Sequence, residues 1–122
     1  MDIVVRGEDS ITQWDVIKNL KQNEAHWVWR SSNKPDSGPG DKVYFYKDGY
    51  IVGFCYYGGY EYKLAQREDG QLQSGMAILI KGPYCERQQP IGINLKGTWR
   101  WRYVDRAKGL RELLDSQREL PP

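Results

Sequence analysis

Alternating apolar and polar residues dominate this chain and predict short β-strands. The clearest example runs from Pro39 to Gly59, with the sequence PGDKVYFYKDGYIVGFCYYGG. Its two alternating segments, 41–47 and 50–57, meet at Asp48-Gly49, a dipeptide that accepts the left-handed backbone angles of a tight turn. The segment is therefore predicted to be a β-hairpin. Within its second strand, Gly53 predicts a bulge or the close approach of another backbone.

Strand patterns recur on both sides of this hairpin. The candidates are Ile3 to Arg6, His26 to Arg30, Met76 to Lys81, Ile91 to Leu95 and Trp99 to Val104. The segment at 76–81, MAILIK, is apolar throughout, so both of its faces are predicted to be covered. In WRWRYV, at 99–104, alternation places Trp99, Trp101 and Tyr103 on one face.

Two helices are predicted, one near each end of the chain. In the first, Ile11, Trp14, Ile17 and Leu20 follow one another at steps of three, close to helical spacing. Asp9-Ser10 offers its N-cap, and Gln22-Asn23 marks its end. We interpret Trp14 as a packing residue of this helix. The second helix begins near Asp105 and carries an apolar stripe made of Leu110, Leu113 and Leu114.

Two stretches between the strands are predicted to be irregular. Tyr60 to Gly75 is interpreted as an insertion, and Pro83 and Pro90 bracket a loop. The remaining segments give five to seven strands and two helices. A closed or nearly closed barrel suits strands this short because it removes exposed edges. At 122 residues, the chain is predicted to form a single domain spanning residues 1–122.

Tryptophan and tyrosine dominate the aromatic residues, with five Trp and nine Tyr against two Phe. These side chains combine a large apolar body with a polar tip. A core alone would draw more on Phe, Leu and Ile, so the excess favours a stacking or interface role. A β-rich fold, which favours Tyr and Trp in any case, explains it equally well.

Positive charge is concentrated in the C-terminal half. The chain has a net charge of +2, but from Lys81 to Arg111 eight basic residues face only Glu86 and Asp105. That segment carries +6, which leaves −4 for the rest of the chain. Such an asymmetry indicates a surface that could meet phosphates. An ordinary solvated surface is the alternative.

The two cysteines, Cys55 and Cys85, have no CxxC spacing, and His26 is the only histidine. A zinc site is therefore not expected. Two buried free thiols are expected, and a disulfide between them is the alternative. We expect no cofactor. The start of the chain lacks a signal-peptide pattern, and no apolar stretch approaches the length of a membrane span. A cytoplasmic protein without a membrane partner is the expectation.

The aromatic segments predict a pocket for a flat ligand, and a nucleobase fits best. Stacking on one aromatic ring is worth about 1–3 kcal/mol, and unstacking a base from a duplex costs a similar amount, so two rings are needed. One wall is predicted to be Trp27 or Trp29, and the other Trp99 or Trp101. The alternative places Trp99, Trp101 and Tyr103 in the core and the neighbouring arginines in solvent. Ser31, Ser32 and Asn33 are predicted to read the polar edge of the base. The predicted phosphate contacts are Lys34, Lys96, Arg100 and Arg102.

The segment from Trp27 to Gly53 resembles a known pattern. WVWRSSNK followed by PGDKVYFYKDGYIVG is similar to the PUA-like superfamily, and most similar to the EVE domain and its YTH and ASCH relatives. The resemblance implies an α+β fold with a small mixed, mainly antiparallel pseudo-β-barrel and flanking helices. It also implies a pocket for a base, often modified, that is flipped out of DNA or RNA. It maps Trp27, Ser31, Ser32 and Asn33 onto the pocket-lining segment, and Tyr46 onto the aromatic residue that ends the GD strand.

Two other functions stay open. Some ASCH proteins hydrolyse acylated cytidines with a lysine, a hydroxyl residue and a glutamate. The resemblance offers Lys34, Ser31 or Ser32, and Glu61 or Glu86 for these roles. The sequence contains no Ser-His-Asp set, phosphate loop or dinucleotide fingerprint, so no catalytic residue is assigned. The third function is an interaction module whose exposed aromatic residues meet another protein.

Overall fold

The computed structural model describes residues 1–7, 14–29, 33–66, 69–97, 99 and 101–118. Six strands and two α-helices are found in this part of the chain. The elements are β1 (Ile3–Arg6), α1 (Trp14–Ile17), β2 (Ala25–Trp29), β3 (Lys42–Lys47), β4 (Tyr50–Gln66), β5 (Leu72–Gly92), β6 (Trp101–Tyr103), a 3₁₀ turn (Val104–Arg106) and α2 (Leu110–Ser116). The predicted N-cap of the first helix, Asp9-Ser10, lies outside the described residues.

The strands form one mixed sheet in the order β2-β5-β4-β3-β1-β6. β1 pairs in parallel with β3, and the other described pairings are antiparallel. The predicted α+β class with a mainly antiparallel sheet is therefore confirmed. The sheet is not closed, because no pairing among the described residues joins its end strands, β2 and β6. The prediction was a closed or nearly closed barrel, and full closure is not found among the described residues.

Two hydrophobic cores cover the two faces of the sheet. Strand β1 shows why, since Ile3 and Val5 point to one face and Val4 to the other, and all three are fully buried. The α1-side core contains Ile3, Val5, Ile17, Val28 and Phe45 among others. The α2-side core contains Val4, Tyr46, Ile91, Leu110 and Leu114 among others.

The β4–β5 hairpin is longer than the sequence pattern indicates. In the stretch at 60–75, predicted to be irregular, residues 60–66 and 72–75 belong to paired strands whose last described pair is Gln66↔Leu72. The predicted loop between Pro83 and Pro90 also lies inside β5. Register shifts between Ile51 and Gly53, and at two later points of β4, absorb the residues that a regular ladder would not accommodate. Gly53 thus lies at an irregularity of the ladder, as predicted.

The C-terminal helix begins later than the sequence indicates. Asp105 lies in the 3₁₀ turn, and Gly109 has a left-handed φ of 80° just before Leu110. This backbone conformation separates the turn from α2, because a continuous α-helix needs a negative φ at every position. Leu110 and Leu114 are buried as expected, and Leu113 packs partly against the same core.

Candidate functional site

The two parallel strands, β1 and β3, end side by side at one end of the sheet. Arg6 is in register with Tyr46, and the N–H of Gly7 donates to the Tyr46 carbonyl at 2.8 Å. Because side chains alternate along a strand, Tyr46 points to the α2 side and Lys47 to the α1 side. We call this region the carboxyl end of β1 and β3. It presents a basic residue and an aromatic partner on each face.

A cavity of about 410 Å³ lies on the α1 side of this end. Its lining combines an indole, a lysine and two carboxylates, from Trp14, Lys47, Asp48, Tyr50, Val52, Glu86 and Pro90. We call it the Trp14 cavity. Its volume falls within the range of about 300–1,000 Å³ that small-molecule sites occupy. Lys47 and Asp48 come from the tip of the β3–β4 hairpin, and Glu86 comes from β5.

Neighbouring rings hold Trp14 in place. Its ring centroid lies 5.3 Å from that of Phe45 and 5.4 Å from that of Tyr84, the latter in a T-shaped arrangement. A side chain at Gly7 would place its Cβ 3.4 Å from the indole, so β1 ends in close contact with this ring. The Lys47 ammonium nitrogen lies 5.4 Å from the Trp14 ring centroid. The indole therefore packs on the core and also lines the cavity next to a cation.

Tyr84 contacts two residues of the cavity lining, Trp14 and Val52, and its hydroxyl is not ionised. Burial, with a smaller contribution from the charge of Glu86, raises the pKa of Tyr84 well above its usual range. The Tyr84 hydroxyl donates to the Val52 carbonyl at 3.3 Å. Because this bond links the two strands that carry Val52 and Glu86, it fixes two parts of the cavity lining relative to each other.

A second aromatic and basic group lies on the α2 side of the same end. The guanidinium carbons of Arg6 and Arg102 lie 5.3 Å and 4.9 Å from the Trp99 ring centroid. The Tyr46 ring centroid is 5.8 Å from that of Trp99. We call these residues, together with Lys96, the Trp99 cluster. Both guanidinium contacts are in the range of cation–π attraction, worth about 0.5–1 kcal/mol at an exposed site.

Hydrogen bonds from ring and guanidinium groups hold the loop that carries Trp99. The Arg102 Nη2 donates to the Lys96 carbonyl at 2.5 Å, and the Trp99 Nε1 donates to the Leu95 carbonyl at 3.5 Å. The Tyr46 hydroxyl donates to the Ile93 carbonyl at 2.9 Å and accepts from the Leu95 N–H at 3.4 Å. Tyr46 is only 6% exposed. It therefore supports the loop from the core, instead of offering a ring face to a ligand.

Of the predicted pocket walls, Trp27 and Trp101 do not lie face to face. Trp27 is followed by Val28, which points into the α1-side core, so Trp27 points away from it. Its ring lies 4.4 Å from the Lys63 ammonium. Trp101 packs against that same α1-side core and makes a T-shaped contact with Tyr103 at 5.0 Å. The Trp101 Nε1 is buried and has no hydrogen-bond partner among the described residues.

Trp99 and Trp101 also differ from the expected arrangement. Trp99 packs against the α2-side core and Trp101 against the α1-side core, although alternation predicts one shared face. The reason is that β6 begins only at Trp101, and Trp99 lies in the preceding loop, where the strand period does not apply.

The remaining predicted contacts are dispersed. Asn33 and Lys34 are exposed in the connection between β2 and β3, and Lys96 is exposed in the loop before β6. Of the two glutamates considered for catalysis, Glu86 lines the Trp14 cavity and Glu61 lies on the far part of β4. Ser31, Ser32, Arg100 and the side chain of Trp29 lie outside the described part of the chain. The predicted residues that the structure does assemble are Tyr46, Lys96, Trp99 and Arg102.

Sequence reasoning missed Trp14, Lys47 and Arg6 as site residues. Trp14 fits a helical apolar stripe, which favours packing, and the structure adds the cavity that it lines. The available signal was the position of the two cations, since Arg6 ends the first strand and Lys47 directly precedes the predicted turn. The parallel pairing of β1 with β3 brings Arg6 and Lys47 to the same end of the sheet, and a local sequence pattern does not reveal such pairing.

Two further findings concern membrane spans and known relatives. In the described part of the chain, no helix has the length and apolar character needed to cross a membrane. Comparisons with protein-family models, with curated proteins and with solved structures find no match. The carboxyl end of β1 and β3 is therefore the feature of this protein that points to a function.

Proposed function

We propose that the protein binds RNA or DNA, holding an unpaired base at the carboxyl end of β1 and β3. The observation that carries this proposal is the pairing of indoles with cations on both faces of that end. Lys47 lies over Trp14, and Arg6 and Arg102 lie over Trp99. Aromatic rings interleaved with basic side chains are the features that single-stranded nucleic acids require, because bases stack and phosphates need positive charge.

The base is proposed to enter the Trp14 cavity. Stacking on Trp14 would contribute about 1–3 kcal/mol. For a base taken from a duplex this only offsets the cost of unpairing, so the polar edge of the base must contribute as well. Asp48 and Glu86 offer carboxylates that accept from exocyclic amines, and Lys47 donates to carbonyl or ring-nitrogen acceptors. A base that carries both an amine and a carbonyl matches this lining best.

The Trp99 cluster is proposed to hold the sugar–phosphate backbone. Arg102 is oriented by its stacking on Trp99 and by its bond to the Lys96 carbonyl, so little side-chain entropy remains to be lost on binding. Lys96 is exposed on the same loop. Phosphate contacts of this kind supply affinity without reading sequence. Discrimination between bases would then come from the Trp14 cavity alone.

We also propose that the fold is a variant of the PUA-like pseudo-barrel, with an EVE-like site in a changed position. A mixed sheet with a helix packed on each face is consistent with that relationship. We place the base at Trp14 and not between Trp27 and Trp101, because those two indoles do not face each other. A modified base remains within the proposal, since the cavity volume leaves room for a substituent.

The test is a binding titration with labelled single-stranded RNA and DNA oligonucleotides at two salt concentrations, read by fluorescence anisotropy. The variants are Lys47→Gln and Arg102→Gln, and the matched control is Lys108→Gln. Lys108 is exposed and follows the 3₁₀ turn beyond Tyr103, which pairs with Ile3 at the opposite end of β1. We expect each site variant to bind more weakly. For Arg102→Gln we expect a salt slope shallower by roughly 0.7 for the lost phosphate contact.

Lys108→Gln should bind as the wild type does. The proposal is wrong if no oligonucleotide binds at low salt, or if the three variants bind equally well. Glu86→Gln tests the cavity separately, because it removes an acceptor charge without changing size. It should change the ranking of the four bases while leaving the salt slope unchanged.

A further inference from the structure

The charged groups of the Trp14 cavity are mainly hydrogen-bond acceptors. The carboxylates of Asp48 and Glu86 line it beside a single ammonium, that of Lys47. Both acidic residues are exposed, so their oxygens can be reached by a ligand. The Lys47 ammonium lies 5.4 Å from the Trp14 ring centroid and already has that ring as a partner. A ligand whose edge is rich in donors therefore fits this lining better than one whose edge is rich in acceptors.

The rest of the lining is aromatic or apolar and consists of Trp14, Tyr50, Val52 and Pro90. Tyr50 lies directly opposite Gly92 in the ladder, and a Cβ at Gly92 would lie 3.4 Å from Tyr50 Cε1, so the ring packs against this glycine. Tyr50 is nevertheless 50% exposed, which leaves ring surface for a ligand. The cavity thus offers flat apolar groups to the faces of a planar ligand and carboxylates to its edge.

Both carboxylates project from backbone that is held in place. Glu86 is paired with Gly53, where the two strands lie too close together to admit a side chain at position 53. Asp48 lies in the β3–β4 turn, and the Ile93 N–H donates to the Gly49 carbonyl at 3.1 Å, which holds this turn against the end of β5. Little backbone freedom therefore remains to be lost when these two residues bind a ligand.

We propose that the base held in the Trp14 cavity is guanine, with its Watson–Crick edge turned towards Asp48 and Glu86. This inference rests on the proposed function, because it names the base that the same cavity binds. Guanine presents three N–H groups on that edge, one on N1 and two on the 2-amino group. The N1–H and the nearer amino N–H point in the same direction, so one carboxylate accepts both. The second amino N–H is left for the other carboxylate.

Each of the other bases places an acceptor where guanine has a donor. Cytosine has the acceptor N3 beside its amine, adenine has N1 beside its amine, and uracil and thymine have a single N–H between two carbonyls. An acceptor that faces a carboxylate oxygen repels it and leaves both groups without a hydrogen bond, which costs binding free energy. Guanine is therefore the base that two carboxylates select, and this selection does not depend on Lys47.

The test uses single-stranded oligouridylate probes that differ only in the central base, read by fluorescence anisotropy at one salt concentration. The central bases are guanine, hypoxanthine, adenine, cytosine and uracil. Hypoxanthine keeps the N1–H and the carbonyl of guanine and lacks only the 2-amino group. We expect the guanine probe to bind most tightly, and the hypoxanthine probe to bind about tenfold more weakly because the amine bonds to carboxylate are lost.

A cycle between the protein and the base assigns this preference to the carboxylates. In the double variant Asp48→Asn with Glu86→Gln, amides of nearly the same size replace groups that only accept with groups that also donate. This variant should bind the guanine and hypoxanthine probes within about twofold of each other. The matched control is Glu112→Gln, at an exposed position of α2, which packs on the opposite face of the sheet. The control should keep the tenfold preference.

The outcomes distinguish the guanine assignment from the proposed function. If the oligonucleotides bind but guanine is not preferred, or if the double variant keeps the preference, the guanine assignment is overturned and nucleic-acid binding stands. Guanosine monophosphate, titrated by itself, shows whether a mononucleotide is the source of the base. Binding of this nucleotide without binding of any oligonucleotide would support the guanine site and overturn the proposed function. Binding of neither would overturn both.

Discussion

At Gly53 the chain leaves no room for a side chain. A Cβ built there would lie 2.5 Å from the Cys85 carbonyl oxygen, and the Tyr84 hydroxyl would also be in its way. The glycine is required by this steric contact and not by a left-handed backbone conformation. Since Tyr84 also supports Trp14, the contact ties the shape of the Trp14 cavity to the path of β4.

Gly53→Ala is therefore expected to destabilise the protein by about 1–3 kcal/mol, because the backbone or Tyr84 must move to admit the methyl group. Urea unfolding measures the change in the free energy of unfolding. Gly38→Ala is the matched control, since a Cβ at Gly38 meets nothing within 4 Å. The control should change stability by less than about 0.5 kcal/mol. Equal stability of the two variants would show that β4 and β5 can separate at Gly53 without cost.

At the scale of elements, the β3–β4 turn was predictable and the outer part of the β4–β5 hairpin was not. Asp48 and Gly49 adopt φ values of 52° and 88°, the left-handed pair that an Asp-Gly turn favours. That preference is local, so two residues suffice to predict it. The outer part of that hairpin depends on pairing 60–66 with 72–78, and Tyr62, Leu64 and Leu72, which lie beyond the Tyr60↔Ile78 pair, are exposed. Because this part of the hairpin has no buried face among the described residues, its sequence does not need the regular alternation of apolar and polar residues by which a strand is recognised.

The candidate site was predictable only in part, because local patterns are visible in the sequence and pairing between distant strands is not. Trp99 and Arg102 were identified because a basic, aromatic segment is visible in the sequence. Their neighbours Arg6 and Tyr46 come from strands that are distant in the chain and join the cluster only through parallel pairing. The expectation that Trp99 and Trp101 share a face was wrong because Trp99 precedes β6, and the alternation of a strand does not apply to the loop before it.

A network around Arg111 attaches helix α2 to the sheet. The Arg111 Nε donates to Asp105 Oδ1 at 2.7 Å, and Nη2 donates to Asp2 Oδ2 at 3.1 Å. The other oxygen of Asp2 accepts the Lys42 N–H at 2.8 Å, at the start of β3. Burial acts to lower the pKa of Arg111, but the hydrogen bonds with Asp105 and Asp2 outweigh it and raise that pKa. One guanidinium thus links α2, the 3₁₀ turn and the amino end of β1.

Arg111→Gln is expected to lower the free energy of unfolding by about 1 kcal/mol, because the pairs are partly exposed and solvent screens them. Lys108→Gln, at an exposed position in the turn before α2, should leave stability unchanged. Asp2→Asn combined with Arg111→Gln completes a double-mutant cycle that isolates the Asp2–Arg111 interaction. Additive effects of the two substitutions would mean that the Asp2–Arg111 pair does not contribute to holding α2 on the sheet.

At the scale of the whole molecule, the two cores keep several weak acids away from water. Cys55 is fully buried opposite Val43, and burial raises its pKa from 9.0 to about 12, with a smaller contribution from Cys85. Burial likewise raises the pKa of Tyr44 on the other side of the sheet. Cys55 is a free thiol as expected, whereas Cys85, expected to be buried, is partly exposed. The folded protein therefore keeps protons on Cys55 and Tyr44 at an alkaline pH at which the unfolded chain would lose them.

The sign of the resulting pH dependence follows from linkage. Above pH 9 the unfolded chain loses the Cys55 proton and the folded chain keeps it, so unfolding becomes more favourable as pH rises. The stabilisation is complete below about pH 9 and is lost progressively up to about pH 12. We expect a loss on the order of a few kcal/mol across this window from Cys55, measured by urea unfolding at a series of pH values.

Comparing Cys55→Ala with Val43→Ala separates ionisation from packing. Both substitutions shorten a fully buried side chain at the same cross-strand pair, so both should lower stability at pH 7. Only Cys55→Ala removes the thiol, so only that variant should lose less stability than the wild type between pH 9 and pH 12. Parallel curves for the two variants would mean that the thiol gains water before it ionises, and that the core around Cys55 opens locally in alkaline solution.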